Sequence, residues 1–167
     1  MTFVIRPADP ADAQGLKELG DEVSAEPEGW LATQDGWRSV GDERRYLRAI
    51  RRYPHAAVYV AEAEDGRIVG RLSLARDQHP ASRHVADLGL MVAQSHRRQG
   101  IGRALLAAAA DWARAHEVRK LELHVFPHNE AGIRLYERFG FEREGLRKRH
   151  YRHGDEYIDA ILMAYEL

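Results

Sequence analysis

The sequence predicts an α/β (α+β) protein with a mixed central sheet of six to seven strands and about four flanking helices. Short apolar runs alternate as strands do, whereas the alanine-rich run from residue 101 to 115 repeats at helical spacing. That helix connects two strand-like runs, 85–92 and 120–126, and a helical crossover joins parallel strands. The resulting order is β-α-α-β-β-β-α-β-α-β-β. The length of 167 residues suits one domain, 1–167, with a sizeable core.

The remaining elements follow from caps, turns and periodicity. Asp9 or Asp12 can cap the first helix, and Asn129 and Gly140 mark the start and the end of the last one. The turn at 64–66, Glu-Asp-Gly, is typical of a hairpin. The predicted strands cover residues 2–6, 57–63, 67–76, 85–92, 120–126, 141–151 and 157–166, and a second helix covers 42–52.

Composition narrows the class of protein. The chain is 44% hydrophobic and 31% charged, which is ordinary for a globular protein. Its 25 basic and 26 acidic residues leave a net charge of −1, so bulk charge gives no argument for a nucleic-acid partner. No apolar run reaches the length of a membrane span and no signal-peptide core is visible, so we expect a cytoplasmic protein without a membrane partner. The absence of cysteine excludes a disulfide scaffold, a thiolate zinc site and a cysteine nucleophile.

An irregular segment, residues 24–41, separates the first two helices. It carries two large aromatic residues, Trp30 and Trp37, in loop-like surroundings. They either cover the edge of the core or belong to a flap that helps to form a substrate pocket, because binding residues are often carried on loops.

The stretch from 85 to 106 combines a strand, a basic turn with two glycines and the start of a helix. Free backbone N–H groups and the helix dipole make such a junction an anion site. A dinucleotide fingerprint would need glycine where Leu105 stands, and a phosphate-binding Walker loop would need lysine directly after Gly102. The glycines alone therefore leave the ligand open, and a structural turn without a ligand stays an alternative.

Two longer motifs resemble those of one family. The run Arg97–Gly102, RRQGIG, resembles the R/Q-x-x-G-x-G/A signature of the GNAT superfamily of N-acetyltransferases. Residues 129–141, NEAGIRLYERFGF, resemble its N-x-x-A-x-x-x-Y-x-x-x-G-F segment, with Gly132 where the family usually has alanine. The C-terminal part, 141–163, is similar to a bacterial branch that includes acetyltransferases of small amines and amino acids. The resemblance implies the GNAT fold.

The resemblance also implies a donor and a set of contacts. Acetyl-CoA would be the acyl donor, with its pyrophosphate on the glycine turn and its pantetheine arm along the preceding strand. The implied cofactor-binding residues are Leu90, Met91, Val92, Arg97, Arg98, Gln99, Gly100, Ile101, Gly102, Arg103, Asn129 and Tyr136. Tyr136 matches the position that usually protonates the departing sulfur. Spacing alone would also allow Tyr136 to be a core aromatic.

A proton acceptor is needed as well, because an alkyl amine titrates near pH 10. Asp87, on the strand before the glycine turn, is the first candidate for this catalytic role. Glu122 and His124 share one face of the next strand and are alternative bases or substrate contacts, and a water chain without a unique base stays open. His116-Glu117 begins an H-E-x-x-H pattern, but Lys120 occupies the second ligand position, so we expect no metal.

The hypothesis is therefore an enzyme that transfers acetyl directly from acetyl-CoA to a primary amine of a small molecule or amino acid. Without cysteine, an acetyl-cysteine intermediate is impossible. A protein acetyltransferase acting on N-termini or lysines is the alternative within the class. A non-catalytic acyl-CoA-binding regulatory domain is the alternative from another class, and a homodimer stays open.

Overall fold

The computed structural model describes residues 2–32 and 36–167, which form one seven-stranded sheet and four α-helices. The strands are β1 Phe3–Pro7, β2 Ala56–Ala63, β3 Ile68–Arg76, β4 Val85–Val92, β5 Lys120–Val125, β6 Glu142–His153 and β7 Glu156–Glu166. The helices are α1 Ala13–Ser24, α2 Val40–Arg52, α3 Ile101–Ala115 and α4 Glu130–Phe139. The predicted fold class and element order are confirmed.

The sheet order is β1-β2-β3-β4-β5-β7-β6, and β4 and β5 are parallel as predicted. Their pairing is short: it joins only 85–87 to 120–122. Within the described chain, the rest of β4 has no strand beside it on that edge, so the two strands separate beyond Asp87. This separation, which we call the splay, opens the sheet next to the C-terminal end of β4.

The helices pack on both faces of the sheet. A Cβ added at Gly70 of β3 would lie 3.0 Å from Ile101 and 3.1 Å from Leu105, so α3 lies close against this strand. Leu16 and Leu19 of α1 are fully buried, as the periodicity predicts. No helix in the described ranges is long and apolar enough to cross a membrane.

Side-chain caps define the ends of several elements. Asp9, one of the two predicted caps, accepts from the Ala11 N–H at 2.9 Å and begins a single 3-10 turn before α1. The Asn129 side chain accepts from the Gly132 N–H at 3.0 Å and caps α4. A Cβ at Gly132 would lie 2.7 Å from the Asn129 amide, so glycine at this position leaves room for the cap.

Candidate active site

A cavity of about 450 Å³ opens at the splay. Its walls come from β4, the turn before α3, the first turn of α3, α4 and the segment after α1. The residues that line it are Val23, Trp30, Leu31, Leu90, Met91, Val92, His96, Arg97, Arg98, Gly100, Ile101, Gly102, Arg103, Asn129, Ala131, Gly132, Arg134, Leu135, Tyr136 and Arg138.

The lining is one-sided in charge. Five arginines are present, at 97, 98, 103, 134 and 138, and no described lining residue is Asp or Glu. The other walls are largely aliphatic or aromatic. A low-dielectric cleft with charges of one sign concentrates ligands of the opposite sign. The cavity therefore suits an elongated ligand with an anionic part and an apolar part.

The turn before α3 has the backbone shape of an anion site. Arg98 has φ 64° and Gly100 has φ 87°, so two of three successive residues adopt the left-handed conformation. Gly100 is the N-terminal cap of α3, and no described side chain caps this helix, in contrast to Ser39 on α2. The first N–H groups of α3 therefore remain available to an anion in the cavity.

The two glycines of the turn have different roles. A Cβ at Gly100 would meet nothing within 4 Å, so its positive φ is what requires glycine. A Cβ at Gly102 would lie 2.7 Å from a methyl of Leu135 on α4, so Gly102 lets α3 and α4 pack closely. Both glycines belong to one sequence motif, but the structure requires them for different reasons. Gly100 is needed for its backbone conformation, and Gly102 is needed for close packing of α3 and α4.

Arg97 pairs with a carboxylate far away in the sequence. Its guanidinium donates to both carboxylate oxygens of Glu26, at 2.8 and 2.5 Å, and its Nε donates to the Val92 carbonyl at 3.0 Å. The Trp30 indole N–H donates to the same carboxylate at 2.6 Å. Glu26 thus compensates the charge of Arg97 and ties the segment after α1 to the glycine turn. Sequence reasoning missed Glu26, because nothing local marks it.

Gln99 is the one predicted cofactor residue that does not line the cavity. Leu90, Met91, Val92, Asn129 and Tyr136 line the cavity together with Arg98, Ile101 and Arg103. Gln99 is outside this lining: its amide nitrogen donates weakly to the Ser95 carbonyl at 3.4 Å, and its carbonyl oxygen is buried without a partner among the described atoms.

Tyr136 is buried at the cavity wall with 7% of its surface exposed. Burial raises the pKa of its hydroxyl to about 12, so it stays protonated at neutral pH. Its ring packs edge-on against Phe141, with ring centroids 5.8 Å apart. Tyr136 thus packs in the core and also lines the cavity, and its role as the acid stays a prediction.

Asp87 and Glu122 lie side by side where the paired part of β4 and β5 ends. Desolvation, followed by the negative charge of Glu122, raises the pKa of Asp87 to about 6, although Arg147 acts in the opposite direction. Asp87 remains accessible to solvent. A carboxyl with this pKa is ionised at neutral pH and is a better proton acceptor than an ordinary aspartate.

His124 extends this group along β5. Its Nδ1 lies 3.0 Å from the Tyr151 hydroxyl on β6, and the His150 ring stands edge-on to it at 5.4 Å. Burial, followed by the positive charge of Arg147, lowers the pKa of His124. The structure therefore brings Asp87, Glu122 and His124 to one face of the sheet. The β6 residues that surround them were missed, because the strand pattern does not reveal its register.

The two tryptophans of the irregular segment have different surroundings. Trp30 lines the cavity and stacks on His128 at 5.4 Å, and the His128 ring lies 3.2 Å from the Gly29 carbonyl. Trp30 thus fits the predicted flap.

Trp37 lies outside the cavity lining and packs into the fold. A Cβ at Gly20 of α1 would fall 2.3 Å from its ring, and its indole N–H donates at 3.0 Å to Glu43, a side chain with no solvent exposure. The alternative interpretation, cover for the core, describes Trp37. Residues 33–35 of the same segment lie outside the described residues.

No group of three or more Asp, Glu or His side chains in the described ranges is arranged to hold a metal ion.

Comparisons with known proteins agree with this architecture. Residues 23–141 match the profile described as "Acetyltransferase (GNAT) family". The L-amino acid N-acetyltransferase AaaT of Escherichia coli is 36% identical over 104 residues, which are 60% of this chain and 62% of that relative. The chain therefore matches less than two thirds of that relative's length.

Two further comparisons cover more of the chain. The N-alpha-acetyltransferase RimI of Mycobacterium tuberculosis is 36% identical over 144 residues, 85% of this chain and 80% of the relative. The crystal structure of a GNAT-family acetyltransferase from Streptococcus pneumoniae superposes with a TM-score of 0.89 at 29% identity, covering 99% and 100% of the two chains. The chain belongs to the GNAT family of acetyltransferases.

Proposed function

We propose that this protein is an acetyl-CoA-dependent N-acetyltransferase that acts on a primary amine, with residues 1–167 as one catalytic domain. The observation that carries the proposal is the cavity at the splay. It combines five arginines, a glycine turn at the N-terminus of α3 that no described side chain caps, and the buried side chain of Tyr136.

The cavity fits the chemistry of coenzyme A. The α3 N-terminus with Arg98 and Arg103 suits the pyrophosphate, because free N–H groups and guanidinium groups are strong phosphate donors. The open edge of β4 at Leu90–Val92 suits an amide-containing extended arm. Arg97 supports this site indirectly, since Glu26 already compensates its charge.

When bound, acetyl-CoA supplies an acetyl thioester, whose C–S bond breaks as the amine nitrogen forms the new C–N bond. Asp87 accepts the proton that the attacking amine must lose, and burial, followed by the negative charge of Glu122, keeps the pKa of Asp87 high enough for that task. Tyr136 donates its hydroxyl proton to the departing sulfur. The chain has no cysteine, which excludes an acetyl-cysteine intermediate, and the proposed transfer is direct.

The preferred acceptor is a small-molecule amine or an amino acid. The printed names of the relatives include both an L-amino acid acetyltransferase and an N-alpha-acetyltransferase, so protein N-termini are the alternative acceptors. A binding domain without catalysis is the alternative from another class.

The test is release of free thiol from acetyl-CoA with a panel of amines, and mass spectrometry of the acetylated products. We expect thiol release that depends on the amine and is lost in Tyr136→Phe. Tyr157→Phe is the matched control, because Tyr157 is 53% exposed on β7, and it should behave as the wild type. Tight binding of acetyl-CoA without release for any amine would favour the binding domain.

A further inference from the structure

Across the four neighbouring strands β4, β5, β7 and β6, one face of the sheet carries negative charge on the first two strands and positive charge on the last. Asp87 on β4 is opposite Glu122 on β5, and His124 follows two residues later on the same face. On β7, His124 is opposite Leu162, and Ala160 of the same face is opposite Arg147 on β6. Strand register thus aligns two carboxylates and one guanidinium across four neighbouring strands.

The spacing between these ends suits a short molecule. Adjacent strands lie about 4.8 Å apart, and Arg147 is offset by four residues along β7 from the level of Asp87 and Glu122, so the backbones of Asp87 and Arg147 are roughly 20 Å apart. The aspartate and arginine side chains shorten that interval from its two ends. Two strands, β5 and β7, lie between them, and His124 and Leu162 are the partly exposed residues of this face between the charged ends.

Arg147 is a cation without a fixed partner. It is exposed, and no described carboxylate lies within ion-pair distance of it, whereas Arg143 on the same strand pairs with Glu137 at 3.4 Å. The positive charge of Arg147 nevertheless acts on the pKa of Asp87, His124 and Tyr151, so its guanidinium acts on the same cluster as the carboxylates.

A backbone irregularity shapes the basic end. The pairing register between β6 and β7 shifts between Arg147 and Tyr151. Within this irregular stretch Arg149 adopts φ 52°, and its backbone N–H donates to the Asp159 carboxylate at 2.7 Å. A non-glycine residue in this region is strained and persists only where the surroundings hold it. The shift keeps Arg147 and Tyr151 on one face and brings Tyr151 to His124, so the wall beside Arg147 is built into the strand.

We propose that the acceptor is an amino acid, whose amino group lies at Asp87 and Glu122 and whose carboxylate binds Arg147. This inference rests on the proposed function and names the substrate class for it. Arginine binds carboxylates with two parallel hydrogen bonds, which fixes orientation as well as charge. A polycationic acceptor would be repelled by Arg147 and by the other basic residues of β6, which outnumber the acidic ones. The basic residues of this strand are Arg143, Arg147, Lys148, Arg149 and Arg152, and the acidic ones are Glu142 and Glu144.

The experiment compares each of a panel of L-amino acids with its α-amide, which keeps the amine and replaces the carboxylate. An α-amide also resembles the first residue of a protein chain. Two readouts are used: acceptor binding by calorimetry in the presence of coenzyme A, and thiol release from acetyl-CoA. The variants are Arg147→Gln and, as a control, Arg143→Gln, which alters the same strand on its opposite face.

For the wild type we expect the best amino acid to bind at least about 10-fold more tightly than its amide, because a hydrogen bond to a charged group is worth roughly one to two orders of magnitude in affinity. Arg147→Gln should remove this preference, mainly by weakening the binding of the acid. Loss of its positive charge should also raise the pKa of Asp87 further, which changes the turnover of acid and amide alike. Arg143→Gln should keep it. Thermal melts of both variants establish that they are folded.

The outcomes separate the two proposals. Equal use of acids and amides by the wild type, or an acid preference that survives Arg147→Gln, overturns the inference while N-acetyltransferase activity stands. A binding preference that depends on Arg147, without thiol release for any acceptor, supports the amino-acid site and refutes the proposed catalysis. Preference for amides would point to protein N-termini and would also overturn the inference.

Discussion

Replacing Glu26 by alanine tests how strongly the segment after α1 is tied to the glycine turn. The substitution removes a carboxylate that is only 7% exposed and that accepts from Arg97 and from the Trp30 indole. The terminal guanidinium nitrogens of Arg97 and the Trp30 indole N–H then lose the Glu26 carboxylate as acceptor. The change is therefore expected to destabilise the fold as well as release this segment.

The magnitude follows from the exposure of the two partners. Removing one member of a fully buried ion pair costs about 3–5 kcal/mol, whereas an exposed pair is worth about 0–1 kcal/mol. Arg97 is 33% exposed, so water can partly replace the lost carboxylate. We therefore expect a loss of about 2 kcal/mol in the free energy of unfolding, or about 4–8 °C in Tm for a chain of this size.

The assay is urea unfolding followed by tryptophan fluorescence, together with calorimetric Tm. Glu28→Ala is the matched control, because Glu28 is exposed in the same segment, and it should change stability by less than about 0.5 kcal/mol. In a double-mutant cycle, Glu26→Ala and Arg97→Ala should couple by at least about 1 kcal/mol. Strictly additive effects, or equal losses from Glu26→Ala and Glu28→Ala, would refute the reasoning.

Three further predictions concern the catalytic groups and the glycine turn. Tyr136→Phe should lower kcat by about 100-fold or more while the Kd of acetyl-CoA stays nearly unchanged; an unaltered kcat would exclude Tyr136 as the acid. The wild-type kcat/KM should rise as Asp87 ionises near pH 6, a limb that Asp87→Asn should lack and the exposed control Asp111→Asn should retain. Gly100→Ala should cost about 1–2 kcal/mol of stability because of its left-handed φ, and full stability of this variant would contradict that assignment.

The raised pKa of Asp87 also predicts a pH-dependent stability. Its pKa is higher in the fold than the ordinary 3.8, so its favourable contribution exists at low pH and is lost as pH rises through about 6. Asp87→Asn should therefore raise Tm at pH 8 relative to the wild type and have little effect at pH 3. A Tm difference that does not depend on pH would show that Asp87 titrates normally.

Elements with strong local signals were predictable from the sequence. The bounds of β4 and α3 agree with the structure because periodicity and a glycine cap act within a few residues. Asn129 caps α4 as expected for the same reason. The parallel pair followed from the helical crossover alone.

Features that depend on distant contacts were not predictable. Glu26 and Arg97 are 71 residues apart, and no pattern in either neighbourhood links them. Trp30 and Trp37 look alike in the sequence, and only packing against α1 separates the one at the cavity from the one in the fold. The face that Tyr151 occupies depends on a register shift in β6, which residue alternation cannot reveal.

The splay has a thermodynamic consequence for the whole chain. Three paired positions join β4 to β5, and the open edge beyond them exposes backbone groups that an extended ligand can satisfy. A ligand that binds only the native state stabilises it by about 2.7 kcal/mol at 100 times its Kd. The free protein should thus exchange the amide hydrogens along the open edge of β4 faster than those paired with β3. The supply of that ligand would set how long the chain resists unfolding and proteolysis.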